Sequence, residues 1–172
     1  MIVGRGQPVV AVIGSASASA SERAIAEEVC RRLAERGAIL VCGGRGGVME
    51  AACRGAQQAG GLTVGILPGT DPDDGNPYLS LALPTGLGQA RNAVVIQASE
   101  AVIAIGGGHG TLSEIGHALK GGKPLLGLST WQASRGGPGE SEIAIAQTAE
   151  EAVEQTLKAV RQRRSQRERH AG

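Results

Sequence analysis

Val102-Ile103-Ala104-Ile105-Gly106-Gly107-Gly108-His109-Gly110-Thr111-Leu112-Ser113-Glu114 is a β-branched apolar run that empties into glycines and restarts with helical spacing. Val102 to Ile105 has the composition of a strand buried on both faces. Thr111 through Lys120 has the apolar period and length of a helix. The turn between them is a strand-to-helix corner. Gly106, Gly107, Gly108 and Gly110 can take positive φ and let a ligand approach the backbone. The first amides of the helix have no partner within it, so the corner is a ready anion site, best suited to phosphate. A corner serving only packing is the alternative, because a glycine motif alone is weak evidence.

The same alternation recurs on either side. Val9 to Ile13 reads as the first strand, followed by Gly14, the Ser15-to-Ser21 segment and a helix from about Ser21 to Arg36. That helix carries an apolar stripe of Ile25, Val29 and Leu33 and ends at Gly37. Ala38 to Cys42 is a second strand, and Gly43-Gly44-Arg45-Gly46-Gly47 a second glycine corner opening a helix from Val48 to Ala59. Leu62 to Leu67 is a third strand. Pro68 to Pro77 is a loop by composition, either an acidic lid or cation contact, or a solvated surface loop. Leu79 to Leu83 fits a fourth strand, and Pro84 to Gly88 leads into a helix from about Gln89 to Ala98. Beyond the opening motif, Gly121-Gly122 ends its helix and Pro124 to Leu128 is a sixth strand. Residues 129–141, with Trp131 and Gly136-Gly137-Pro138-Gly139, have no periodicity and read as an excursion bordering the site or an oligomer contact. Ile143 to Ala146 fits a last edge strand, and Thr148 to about Arg164 a terminal helix with Val153, Leu157 and Val160 inward. Thr148 and Glu151 have capping-box spacing. The pattern predicts an α/β fold: a doubly wound, mostly parallel sheet of about six to seven strands, with helices on both faces and right-handed crossovers.

Composition narrows the function. At 172 residues and 41% hydrophobic, the chain suits a single domain over 1–172 with a real core. Phe is absent and Trp131 and Tyr78 are the only aromatics, so Val, Ile, Leu and Ala must build that core around 28 glycines. Single-strand nucleic-acid binders stack bases on aromatic platforms, and a net charge of +1 gives no broad basic field, so no nucleic-acid partner is expected. The basic tail from Arg161 to Arg169 is accounted for by the favourable placement of cations at a helix C-terminus. Arg5 and the apolar run Val9 to Ile13 mimic a signal peptide, but the run is too short, and no stretch is long enough to span a membrane. Cys30, Cys42 and Cys53 are odd in number and lack metal-ligand spacing, which predicts small buried residues, no metal site and a reducing cytoplasmic setting.

In a parallel sheet all strand-to-helix loops share the edge where ligands bind. The loops at Gly14-Ser15, Gly43 to Gly47, Pro68-Gly69, Pro84 to Gly88 and Gly106 to Gly110 therefore converge, with helix N-termini at Gly47 and Thr111 available to anions. The expected ligand contacts are Gly14, Ser15, Gly43, Gly44, Arg45, Gly46, Gly47, Gly106, Gly107, Gly108, His109, Gly110 and Thr111. Arg91 and Glu114 fall on the same edge, each in the first turn of its helix, and are the catalytic candidates. A bidentate cation and a carboxylate beside a phosphate nest make an economical site. His109 could donate to a ligand or act as an acid, or be an exposed loop residue without a task.

Cys42 to Glu50 and Gly107 to Glu114 resemble the paired motifs of the Lonely Guy and molybdenum-cofactor-carrier-like superfamily, whose members are sometimes labelled lysine decarboxylases. The likeness runs from Val9 to about Leu128, and Gly-Gly-x-Gly-Thr-x-x-Glu at 107–114 is its most specific part. It implies a Rossmann-like fold, a homodimer or homotetramer, and no required cofactor. For the Lonely Guy enzymes it implies cleavage of a nucleoside 5′-monophosphate into free base and ribose 5-phosphate, with Glu114 and Arg91 matching the family's glutamate and arginine. Glu114 would stabilise oxocarbenium-like charge or orient water. Two departures stand out: the enzymes' Arg-Lys pair is Arg91-Asn92 here, and their proline before the glycine motif is Gly106. The stretch from Pro84 to Asn92 is closer to a bacterial branch near the molybdenum-cofactor carriers, which bind a phosphate-bearing pterin without turning it over. The alternative to hydrolysis is therefore a non-catalytic carrier or sensor holding molybdopterin or a nucleotide. Pyridoxal phosphate chemistry needs a Schiff-base lysine, and Lys120, Lys123 and Lys158 are the only lysines, the first two expected at the opposite edge.

Overall fold

The computed structural model describes residues 6–133 and 141–170. Among these residues seven strands form one sheet: β1 (Val9–Gly14), β2 (Ile39–Cys42), β3 (Thr63–Leu67), β4 (Leu81–Pro84), β5 (Ala101–Ile105), β6 (Leu125–Leu128) and β7 (Ala144–Ile145). Their order is β4-β3-β2-β1-β5-β6-β7, and every pairing is parallel, so the sheet is wholly rather than mostly parallel. The connecting helices are α1 (Ala20–Glu35), α2 (Val48–Gln58), α3 (Arg91–Ala98), α4 (His109–Lys120) and α5 (Ala149–His170).

Strand alternation divides the core between the two faces. Val10, Val12, Ile103 and Ile105 pack toward α1, α2 and α5, while Ala11, Ile13, Val102 and Ala104 pack toward α3 and α4. The central strands are buried on both sides, which is why β1 and β5 read as continuous apolar runs rather than alternating ones. With no Phe to fill space, the layers close by approach of small residues. A Cβ on Gly55 of α2 would run into the Glu27 backbone of α1, so this glycine sets the spacing of the two helices. No described helix is long and apolar enough to cross a membrane. Cys30, Cys42 and Cys53 are free and buried.

Element boundaries differ from expectation where side chains cap the backbone. Helix α1 starts at Ala20 because Ser19 Oγ accepts from Glu22 N (3.2 Å) and the Glu22 carboxylate accepts from Ser19 N (2.7 Å), a complete capping box. Helix α4 starts at His109, two residues early, with Gly108 as its N-cap. Gln89 lies in a 3₁₀ turn (Gly88–Ala90) ahead of α3 rather than in the helix itself. Strand β4 is shifted to Leu81–Pro84 and β7 is only two residues long. Helix α5 continues to His170, so the basic tail is helical. At its start Thr148 Oγ1 accepts from Glu151 N (3.1 Å), while the Glu151 carboxylate takes Gln147 N (2.8 Å), one residue ahead of a regular capping box. Arg5 and the Gly136-to-Gly139 part of the excursion lie outside the described residues.

Connectivity reverses direction between β1 and β5, which pair from Val10↔Ala101 to Gly14↔Ile105. Open sheets of this kind form a crevice at that point, outside the carboxyl ends of the strands.

Candidate active site

The corners after β1 and β2 are built against each other. Gly14 ends β1 in close contact with the Ile105 carbonyl and Val48, where a Cβ would come within 2.6 Å of both. Gly47 has φ +66° and lies on the Ser15 and Ala16 backbone, and the Ser15 carbonyl takes the first amide of α2, Val48 N, at 2.9 Å. The N-terminus of α2 is thereby partly occupied by protein. Gly44, at φ +73°, accepts Asn76 N (2.8 Å) through its carbonyl, and Asn76 Nδ2 donates to the Arg45 carbonyl (3.1 Å). The 68–77 loop thus braces the Arg45 corner. Thr85, Gly86 and Gly88 return to the Leu67, Gly69 and Pro68 carbonyls, which fixes the approach to α3.

These corners surround a cavity of about 410 Å³. Gly14, Ser15 and Ala16 form one wall, Arg45, Met49 and Pro68 a second, Gln89, Arg91 and Asn92 a third, and Gly108, Gly110, Thr111 and Glu114 the fourth. Helix α4 points into it with no side-chain cap on its N-terminus, which leaves its leading amides and the positive end of its dipole facing the space. Arg91, Asn92, Thr111 and Glu114 are all less than 9% exposed, an unusual gathering of buried polar groups.

Among the described residues Arg91 Nε is buried with no hydrogen-bond partner, and the guanidinium lies against Gly43, where any Cβ would collide with it. Burial lowers the basicity of Arg91, and the Glu114 carboxylate opposes that effect. Burial pushes the Glu114 carboxyl up to about 7, with Arg91 pulling the other way. A buried cation with an unused donor, a carboxyl that titrates near neutrality and an uncapped helix N-terminus therefore share one space. Such a site can hold a phosphate and can give or take a proton beside it.

Of the fifteen residues expected from sequence, the cavity wall brings together Gly14, Ser15, Arg45, Arg91, Gly108, Gly110, Thr111 and Glu114. Gly43, Gly44, Gly46 and Gly47 fall outside that wall, and close contacts at Gly43, Gly44 and Gly47 show them shaping the corner beside it. Gly106 and Gly107 also lie outside. Gly106 N donates to the Leu128 carbonyl (3.1 Å), and its own carbonyl takes Thr130 Oγ1 (2.5 Å). Their open side faces a separate hollow beside Glu22, Thr130 and Trp131. The Glu22 carboxyl is held below its usual range first by the Ser19 backbone and hydroxyl, with the Gly107 amide adding least. His109 is exposed, its ring 6.1 Å from that of Trp131, and outside the cavity wall. Pro68 lies in a loop that the sequence places at this edge without naming it as a contact, and Ala16, Met49, Gln89 and Asn92 join the wall as residues not expected there. Signals for these were indirect: Pro68 belongs to a converging loop, Met49 to the Cys42-to-Glu50 motif, and Gln89 and Asn92 to the stretch from Pro84 to Asn92. Among the described residues no group of three or more His, Cys, Asp or Glu gathers as a metal site.

A molybdenum cofactor binding protein from Rippkaea orientalis superimposes with a TM-score of 0.79 at 33% identity, covering 88% of this chain and 96% of that one. The Moco carrier protein from Chlamydomonas reinhardtii gives a TM-score of 0.79 at 31% identity, covering 91% and 99%. An uncharacterized protein of Archaeoglobus fulgidus is 40% identical over 144 residues, 84% of this chain and 91% of its own length. Residues 7–166 match the family described as SLOG cluster4. The chain belongs to the SLOG cluster4 family.

Proposed function

We propose that the chain binds a phosphate-bearing pterin or nucleotide in the cavity between β1 and β5 and holds it without turnover, as a carrier or sensor. The observation that carries this reading is that the N-terminus of α4, without a side-chain cap, and Arg91, whose buried Nε has no partner among the described residues, line one cavity. In this reading the leading amides of α4 and Arg91 take the phosphate, and Arg45 closes over it from the β2 corner. Ala16, Met49 and Pro68 supply apolar surface for a flat ring. A cavity of about 410 Å³ is of the size that small-molecule ligands fill. Two relatives named for binding or carrying molybdenum cofactor match over nearly the whole chain, which favours a pterin. Asn92, where the phosphoribohydrolases carry lysine, favours binding over cleavage. Titration calorimetry with molybdenum cofactor and with nucleoside monophosphates tests it: one site per chain is expected, weakened at least tenfold in Arg45→Ala, with the ligand recovered intact. Absence of affinity for both ligand classes overturns it.

A second reading rests on Glu114. A carboxyl titrating near 7 can serve as a proton donor or acceptor in N-glycosidic hydrolysis of a nucleoside 5′-monophosphate. It expects free base from at least one monophosphate, and loss of that activity in Glu114→Gln.

A further inference from the structure

The sheet edge away from this cavity holds a second concavity, of about 360 Å³, between the C-terminal ends of α3 and α4 and the later turns of α5. Four cations and one carboxylate line it: Lys123, Arg163, Arg164, Arg167 and Glu100. Glu100 is fully engaged. Its two oxygens accept from Arg164 Nε (2.7 Å) and Nη2 (2.6 Å), and Oε2 also takes Val9 N (3.1 Å). The Lys123 ammonium donates to the Gln97 carbonyl (3.1 Å) and the Ser99 carbonyl, and Arg163 Nη1 to the Gly122 carbonyl (2.9 Å). These carbonyls belong to the ends of α3 and α4, whose C-termini carry roughly half a negative charge each. With Arg164 balanced by Glu100, three cations face about one unit of negative charge, an excess of about two before the Glu168 carboxylate near Arg164 is counted. Burial, and then repulsion from Arg163 and Arg167, disfavours the Lys123 ammonium, as expected of a cluster short of anions.

We propose that this concavity is a second anion site, separate from the cavity between β1 and β5, and that it takes a small polyanion bearing a diphosphate-type group. Its charge excess matches a ligand of two or more negative charges. Arg163 and Arg167 sit four residues apart on one face of α5 and so can engage adjacent phosphates. Enclosure between three helices favours a small molecule over a nucleic-acid backbone, which needs an open basic track. The candidate carrier site plays no part in it.

Titration calorimetry of the full chain with pyrophosphate at low ionic strength is the test. Saturable one-to-one binding is expected in Arg45→Ala, where the phosphate site between β1 and β5 is weakened, and should fall about tenfold or more when Arg163→Gln/Arg167→Gln is added. Backbone amide shifts should map to residues 97–100 and 121–123. Because Arg163 also caps the Gly122 carbonyl, the single charge reversal Arg167→Glu serves as a second variant and should abolish binding with the fold intact by circular dichroism. The proposal fails if pyrophosphate shows no saturable binding, if the double variant binds equally well, or if Arg45→Ala removes the binding. It fails as well if an oligonucleotide binds through the same arginines more tightly than pyrophosphate.

Discussion

Glu114 gives the sharpest quantitative consequence. Its carboxyl titrates at about 7 in the folded chain, against 4.5 as the ordinary value. Between those values the folded state binds more protons than the unfolded state, so stability must fall as pH rises through this window. With one pK unit worth 1.36 kcal/mol, the contribution drops by about 2.5 kcal/mol between pH 5 and pH 8. Burial is the cause: the carboxylate loses water and regains only part of that from Arg91. Glu22, Glu27, Glu28 and Glu100 are shifted the opposite way by their hydrogen-bond partners, and their stabilising effect is lost below pH 4.5, outside the window. Urea unfolding of the protein and of Glu114→Gln at pH 5, 6, 7 and 8 isolates the term, because Gln keeps the shape without titrating. The variant should gain about 2.5 kcal/mol relative to the parent from pH 5 to pH 8. A difference that stays flat with pH would refute the reasoning and mean that Glu114 is hydrated or closely paired.

Three further outcomes are expected. A phosphate bound beside Glu114 should drive its protonation, so calorimetry at pH 7.5 in buffers of different ionisation enthalpy should show proton uptake that disappears in Glu114→Gln; buffer-independent heats contradict this. Gly47→Ala places a side chain at φ +66° against the Ser15 carbonyl, and should lose at least about 2 kcal/mol in urea unfolding and weaken ligand binding together. Ile103→Ala, at 0% exposure in the middle of β5, should lose about 2–5 kcal/mol while leaving the pH dependence of stability unaltered.

Sequence carried the layer architecture because its signals are local. A buried parallel strand announces itself as a β-branched run, and Gly14, Gly47 and Gly108 sit where strands hand over to helices. The division of labour among glycines was less legible. Gly106 and Gly108 look alike in sequence, yet one amide completes a bond to Leu128 and the other glycine caps the helix that faces the cavity. That outcome depends on β6 and on Glu22, which lie far off in the chain. The Pro68 loop was legible as part of the binding edge, but Met49 reaches the cavity through tertiary placement, since nothing in an apolar residue marks it as a ligand wall. The start of α1, expected at about Ser21, moved to Ala20 because Ser19 and Glu22 cap each other.

Pairing of β1 with β5 has a kinetic consequence as well as a geometric one. The Val9 amide meets the Glu100 carboxylate 91 residues away, whereas β1, β2 and β3 join through short successive crossovers. Closing so long a loop is the slower kind of event in folding. The cavity draws its walls from both sides of that junction, so it exists only in chains whose two halves have met. A ligand bound there selects the completed fold over any state with β1 and β5 apart, and by mass action should slow the unfolding steps that separate them.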